Sequence, residues 1–312
     1  MEDKSLFKLR IRRDFTKLIY IILECIESAL SSFFVVKLMP IRMKNLDVLL
    51  IAHEKMGSEF TILMQGPLVH KNDFTLETLQ YYRSIFPNVR LVLSTWDSEC
   101  SITCAKIEKI GVDIVINEVP EVRGISNINL QLQSTIAGLN YLSNGTKYVL
   151  KTRTDHRIYS SENWLEYFRN KCEISVSEIG LEKKLIVCNL NMYRSRKYVV
   201  SDMFMFGRVE DILTFWNIPH QIAEQNLNSD YDCFGFHGAE TYIMRQFLKS
   251  VGWSILADKV DSETFLRSYF SLVDKDVIGL FWLKYNHFYD RKHKTVDGGR
   301  SEIMSVIDSG EQ

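Results

Sequence analysis

The order of the elements predicts an α/β fold: a mostly parallel, Rossmann-type sheet flanked by helices, with an N-terminal helical appendage. Three observations carry this. Between residues 60 and 150, short continuously apolar runs alternate with longer segments of helical period. Each apolar run ends in a cluster of turn-forming residues. Before Met43-Lys44 the chain shows one helical period and no strand signal.

Phe60-Thr61-Ile62-Leu63-Met64, ended by Gly66-Pro67, reads as a strand buried on both faces. Phe74–Phe86 reads as a helix capped by Asn72 or Asp73, with Leu76, Leu79, Tyr82 and Ile85 or Phe86 on one stripe and Pro87 as its stop. Strand Val89–Ser94, helix Ser101–Ile110 ended by Gly111, strand Val112–Asn117 and helix Ile128–Leu142 closed by Asn144-Gly145 follow. A fourth strand opens at Tyr148-Val149-Leu150 and runs into Thr152-Arg153-Thr154-Asp155. The second half is less regular: helix Asn163–Arg169, strands Leu185–Leu190 and Val200–Phe206, helices Val209–Trp216 and Ala239–Val251, and a terminal strand at Ser254–Ala257. From Arg291 the chain is polar and carries Gly298-Gly299, the composition of a fraying tail. The expected division is a helical segment over 1–46, one catalytic domain over 47–290 and a tail over 291–312.

The composition is that of a globular protein, with 46% hydrophobic and 25% charged residues. A formal net charge of −1 gives no global reason to expect nucleic acid as a partner. Cys25, Cys100, Cys104, Cys172, Cys188 and Cys233 are scattered without zinc-site spacing and read as free thiols in a reducing compartment. The apolar stretch Leu18–Val36 follows a basic start, but Glu24 and Glu27 interrupt it and no small-residue cleavage site follows, so neither a spanning helix nor a signal peptide is expected. As a helix it gathers Phe15, Ile19, Ile22, Ile26, Leu30 and Phe33 on one face. Such a face packs on the protein's own core or lies at an anionic membrane surface.

In parallel sheets ligands bind beyond the carboxyl ends of the strands. Four strand-end segments should therefore share one edge: Gln65-Gly66-Pro67, Ser94-Thr95-Trp96-Asp97, Asn117-Glu118 and Arg153-Thr154-Asp155. Gly66 lets backbone approach a ligand or simply makes a turn. Ser94, Thr95 and Asp97 can hold a base or sugar hydroxyls with Trp96 stacked on a ring, or they cap a turn. A diphosphate needs its charge offset by metal, cationic side chains or helix N-termini. Arg153 or Arg157 can face phosphate and Asp155 can take a metal or ribose, or the three form a structural salt bridge. The helix start at Asn127–Ser134 is rich in amides, which suits a polar ligand or a solvated face. Farther on, Asp202 is an acid in an apolar context and Glu240 lies in the first turn of a helix, each either a structural group or a general base. Asp230 and Asp232 have paired-acid spacing but follow no strand. No Gly-rich phosphate loop, nucleophile elbow or HExxH motif is present.

Taken in order, Met64-Gln65-Gly66-Pro67, Tyr82–Asn88, Leu93–Trp96, Asn129-Leu130-Gln131 with Ser134-Thr135, Tyr148–Asp155, Ser201–Phe204 and Glu240-Thr241-Tyr242 resemble the WavE family of lipopolysaccharide-synthesis proteins. The resemblance implies a GT-A-like glycosyltransferase fold, a nucleotide-sugar donor, and a saccharide or lipid-linked saccharide acceptor in lipopolysaccharide core, O-antigen or capsule. It places the enzyme in the cytoplasm or peripherally on the cytoplasmic face of the inner membrane. Arg153-Thr154-Asp155 takes the position of the family's DxD motif. Its first acid is replaced here by Arg153, so a manganese or magnesium ion on Asp155 is not assured. Leu130 stands where a basic residue often follows the helix asparagine. On this reading Asp97 and Asp155 hold the donor, Arg153 or Arg157 the diphosphate, and Glu240 or Asp202 is the base of an inverting transfer. The rivals are a nucleotidyltransferase, which Gln65-Gly66-Pro67-Leu68 disfavours for want of a basic Gly-rich loop, and a non-catalytic membrane-associated assembly protein.

Overall fold

The computed structural model describes residues 17–19, 21–23, 25–26, 41, 53–142, 145–160, 162–176, 180–190, 192, 196–222, 238–256 and 258–284. The chain forms two compact units, Met1–Pro40 and Ile41–Gln312. In the first, residues 17–19, 21–23 and 25–26 are helical, as predicted. The boundary expected at 46/47, Phe15, Leu30 and Phe33, the acids Glu24 and Glu27, Asn144, Asp230, Asp232, Cys233, His237 and the tail from 291 lie outside the described residues. Among the described residues no helix is long and apolar enough to cross a membrane. The five cysteines described are all free.

The second unit is built on strands β1 Phe60–Gln65, β2 Arg90–Trp96, β3 Val112–Asn117, β4 Tyr148–Arg153, β6 Leu185–Cys188, β7 Met205–Arg208 and β8 Phe270–Val273. They form one sheet in the order β3-β2-β1-β4-β7-β6-β8, while β5 His156–Ile158 and β9 Leu280–Trp282 make a small second sheet. β1 to β4 are mutually parallel, β7 runs antiparallel to both β4 and β6, and β8 is parallel to β6. The mostly parallel sheet flanked by helices is the predicted architecture.

Strand alternation sends successive side chains to opposite faces. Ile62, Met64, Leu91, Leu93 and Leu150 join the core under α1 Phe74–Ile85, α2 Ser101–Glu108 and α4 Trp164–Cys172. Leu63, Val92, Val149 and Met205 join the core under α3 Ile128–Tyr141, α5 Val209–Trp216, α6 Ala239–Ser250 and α7 Lys259–Tyr269. The predicted stripe Leu76, Leu79, Tyr82 and Ile85 is the face of α1 that is buried. Gly138 lets α3 lie close on the sheet: a Cβ there would come within 2.5 Å of Leu63 Cδ1.

Several elements differ from expectation. The strand predicted over Val200–Phe206 occurs at Met205–Arg208, and the Asp202 carbonyl before it accepts from the Lys151 ammonium. β6 ends at Cys188, where Asn189 turns the chain by accepting from the Lys275 N–H (2.9 Å) and donating to Asp274 (2.9 Å). Ser254–Leu256 is not a strand; the Leu256 N–H instead reaches the Asp261 carboxylate of α7, an element the periodicity did not mark. Asp73 does occupy the N-cap of α1, but in a left-handed conformation (φ 53°) and without a side-chain cap bond.

Candidate active site

The registers Gln65↔Ser94, Gln65↔Arg153 and Trp96↔Asn117 set the four strand ends side by side, as the parallel-sheet rule requires. Hydrogen bonds brace them. Gly66 (φ 119°) donates to the Ser94 carbonyl (3.0 Å), and its own carbonyl accepts from Thr95 Oγ1 (2.9 Å). The Thr154 N–H reaches the Gln65 carbonyl (3.2 Å) and its hydroxyl reaches the Pro67 carbonyl (2.6 Å). Asn117 Nδ2 donates to Ser94 Oγ (2.9 Å) and to the Thr95 carbonyl (2.8 Å). A non-glycine at 66 would meet both the positive φ and Thr154 Oγ1 at 3.1 Å.

Above this frame lies a cavity of about 450 Å³, a size suited to a small-molecule ligand. Pro67, Val69, Trp96, Val119 and Leu130 give it an apolar wall, and Gln65, Ser126, Asn127 and Gln131 add polar groups. Arg123, Arg153 and Lys284 bring positive charge to it, Glu99 and Asp155 negative. Gln65 is fixed by Ser134 Oγ donating to its Oε1 (2.8 Å), and Glu99 by accepting from the Leu68 N–H (2.9 Å).

At the end of β4, Arg153 Nε and Nη2 donate to Asp155 Oδ1 (2.8 Å) and Oδ2 (3.0 Å). Trp282 Nε1 also donates to Oδ2 (2.9 Å). Burial alone would raise the Asp155 pKa, but the Arg153 and Trp282 bonds outweigh it and hold the carboxyl well below the usual carboxylate range. His156, fully buried beside it, is pushed down to about 3 by burial against the pull of Asp155 and is therefore neutral near pH 7.

The structure separates the other predicted residues. Gln65, Gly66, Arg153 and Asp155 line the cavity together with Trp96, whereas Ser94 and Thr95 are fully buried braces of the strand ends. Asp97 is exposed in the turn after β2 and does not line the cavity, although its neighbours Trp96, Ser98 and Glu99 do. Arg157 does not reach the cavity either. Fully buried, it donates to Thr78 Oγ1 (2.8 Å), the Phe74 carbonyl (3.1 Å), the Ile41 carbonyl (3.0 Å) and the Tyr159 hydroxyl (2.9 Å), and its guanidinium lies 4.3 Å from the Phe74 ring centre. Of the amide-rich helix start, Asn127 and Gln131 face the cavity, while buried Asn129 clamps Gln221 through its backbone N–H and carbonyl (2.8 Å each). Arg123, Glu99 and Lys284 were not singled out from the sequence. Arg123 follows β3 on the predicted edge and was within reach of the strand-end rule; Lys284 depends on a long-range pairing that no local pattern reveals.

Asp202 and Glu240 lie outside that cavity lining but not far from it electrically. Both are buried, at 3% and 7% exposure, and the Asp202 Oδ1 has no hydrogen-bond partner among the described residues. Burial first, then the Asp202 charge, pushes the Glu240 carboxyl far above its ordinary range, with Arg196 and Arg153 opposing the shift. Lys151, fully buried with its ammonium on the Asp202 carbonyl and 4.1 Å from the Trp216 ring centre, is driven down to about 7 by burial, the Asp202 charge resisting. Arg153 thus belongs to both sets: it lines the cavity, and its charge is felt at Glu240 and Lys151.

A divalent ion on Asp155, which the sequence does not assure, would have to compete with the Arg153 and Trp282 bonds. Both carboxylate oxygens already accept N–H groups, two of them from a guanidinium, and no group of three His, Cys, Asp or Glu among the described residues could hold an ion.

The model of the family described as WavE lipopolysaccharide synthesis matches residues 60–264, about two thirds of the chain. The chain belongs to the WavE lipopolysaccharide-synthesis family. The matched segment of this WavE protein carries every predicted site residue from Gln65 to Glu240 and ends before β9 and Lys284. No curated protein sequence matches it. Solved structures similar to the WavE chain include a 4-diphosphocytidyl-2C-methyl-D-erythritol synthase from Anaerococcus prevotii (11% identity, 75% of this chain and 98% of that one, TM-score 0.38). A nucleoside-diphosphate-sugar pyrophosphorylase from Vibrio cholerae matches at 11% identity over 74% and 98%, TM-score 0.37. Mouse xyloside xylosyltransferase 1 in its apo form matches at 8% over 69% and 86%, TM-score 0.35. Similarity this low carries neither mechanism nor substrate across to the WavE protein.

Proposed function

We propose that this WavE-family protein is a glycosyltransferase that moves a sugar from a nucleotide-sugar donor onto a saccharide acceptor during cell-surface polysaccharide synthesis. The carrying observation is the position of Arg153. It closes the central strand β4 and lines the cavity at the strand ends beside Trp96 and Asp155. The nucleotide ring rests against Trp96 and the apolar wall, and the diphosphate lies toward Arg153. The acceptor hydroxyl attacks the anomeric carbon while Glu240, or Asp202 beside it, takes its proton. The bond from that carbon to the diphosphate oxygen breaks, and the electron pair leaves with the nucleoside diphosphate, stabilised by the guanidinium. A carboxyl held above its ordinary range is suited to act as base near neutral pH.

The acceptor is a saccharide or lipid-linked saccharide. The enzyme works on the cytoplasmic side, with the N-terminal helix at the membrane surface; deleting residues before 47 should shift it from the membrane to the soluble fraction. The reaction is tested by incubating the protein with UDP-, GDP- and CDP-sugars and acceptor-rich membranes. Transfer of label with release of nucleoside diphosphate supports the proposal. Release of pyrophosphate from a nucleoside triphosphate plus sugar phosphate would instead assign nucleotidyl transfer, and no response to any donor would leave an assembly role. Asp155→Ala and Glu240→Ala, both folded, should each lose most transfer; unchanged transfer in both sinks the assignment.

A further inference from the structure

We propose that Lys284 is a further cation of the donor site, held there by Trp282 on a C-terminal strap, so that side-chain cations replace a divalent ion on the donor diphosphate. The inference rests on the donor-site reading above and adds residues beyond the family-matched segment.

The strap is built from named contacts. After β8 the chain turns back at Gly279 (φ 66°), whose carbonyl accepts from the Tyr159 N–H (2.9 Å). A Cβ at Gly279 would stand 3.0 Å from the Tyr159 carbonyl oxygen, so the close approach needs a glycine. β9 then pairs antiparallel with β5 in the register His156↔Trp282, Arg157↔Phe281 and Ile158↔Leu280. Trp282 meets the end of β4 in three ways: its Nε1 donates to Asp155 Oδ2 (2.9 Å), its ring stands edge-on to His156 (5.7 Å), and the Arg153 guanidinium lies 5.8 Å from its ring centre. The next N–H, of Leu283, donates to the Asp155 carbonyl (3.0 Å). The residue after that, Lys284, lines the cavity.

Charge explains why the strap matters. Asp155 is turned toward Arg153 and Trp282, and its carboxylate orients a guanidinium where the family motif would present two acids. The other charges that line the cavity, Arg123 and Arg153 against Glu99 and Asp155, are formally neutral together, so they do not by themselves offset the negative charge of a diphosphate leaving group. Lys284 supplies the missing positive charge on the same wall, and a lysine serves as a point charge for phosphate where an arginine forks. Trp282 is a positioning residue in this scheme: it touches no ligand, but it fixes Asp155 and the backbone that carries Lys284.

The test is calorimetric titration of the full chain with UDP, GDP, CDP, the free nucleosides and inorganic pyrophosphate in EDTA, repeated with manganese or magnesium. The wild type should bind one nucleoside diphosphate in EDTA. Lys284→Met should weaken that diphosphate at least about tenfold, leave the matching nucleoside unchanged, and flatten the salt dependence of binding; Lys284→Arg should restore most of the loss. Trp282→Phe, which keeps an aromatic ring of smaller size and removes the N–H, should weaken the diphosphate several-fold while keeping the salt dependence. Diphosphate binding only when manganese or magnesium is present, or Lys284→Met indistinguishable from wild type, overturns the inference and leaves the donor site standing. An unchanged Trp282→Phe overturns the positioning role. A wild type that binds no nucleoside diphosphate under either condition removes both the inference and the function beneath it.

Discussion

The end of β4 and the short strand β5 that follows it each present an arginine, and the two arginines serve different ends. Arg157 in β5 is sealed from solvent, its donors distributed over two backbone carbonyls of neighbouring elements, two hydroxyls and an aromatic face. Arg153 is leashed to the carboxylate of Asp155, and its remaining surface lines the cavity. One guanidinium ties α1 to β5; the other keeps its charge at the sheet edge for a ligand. The difference lies in what surrounds each residue, since both follow an apolar strand in a sequence of the same character.

That contrast can be broken by mutation. Arg157→Met should cost about 3 kcal/mol or more in chemical unfolding, because it leaves several buried acceptors unmatched. A loss near zero would mean that the cage holds little. Glu240→Gln should lower kcat by about a hundredfold with donor KM changed little. Its pH profile sharpens the reading of the buried acids: the carboxyl is raised in the folded protein, so wild-type activity should climb as pH rises through the neutral range and the base loses its proton. The variant should lack that limb, and a retained limb would move the base elsewhere. The neutral pair Arg153→Gln/Asp155→Asn should keep stability within about 2 kcal/mol, because it removes both charges together and leaves neither buried and unpaired. It should nevertheless weaken donor binding at least about tenfold.

A pH-dependent effect on stability concerns His156. Its folded pKa, about 3, lies below the ordinary imidazole value of about 6.5, so its contribution to stability is present above about 6.5 and is lost as pH falls toward 3. His156→Gln should flatten the fall in unfolding free energy over that window while leaving the value near pH 8 little changed. A slope identical to wild type would show that His156 is not what resists acid.

The first half of the unit was legible because its information is local. Phe60–Met64 and Tyr148–Leu150 are continuous apolar runs, the α1 stripe repeats at helical spacing, and parallel order then fixes which loops share an edge. The later elements depend on distant partners. Nothing near Asp202 announces that its carbonyl will meet Lys151 before β7 begins, and Gly279–Lys284 acquires its place only by pairing with β5. The candidate site divides along the same line. Gln65, Gly66, Arg153 and Asp155 follow from strand-end position alone. Ser94 and Thr95 sit at the same edge yet are taken up in the braces between strands, Ser94 Oγ accepting from Asn117 and Thr95 Oγ1 donating to the Gly66 carbonyl. Strand-end position leaves Arg153 and Arg157 as equal candidates for the diphosphate, and only the tertiary cage around Arg157 separates them.

The most direct measurement is the release of nucleoside diphosphate from a panel of UDP-, GDP- and CDP-sugars, followed by chromatography with acceptor membranes present. Wild type should turn over one donor class and transfer its sugar. The stable Arg153→Gln/Asp155→Asn variant should do so at least about thirtyfold more slowly, a loss of roughly 2 kcal/mol in transition-state stabilisation. Equal rates from the two proteins would contradict the assignment of the β4 end as the donor site.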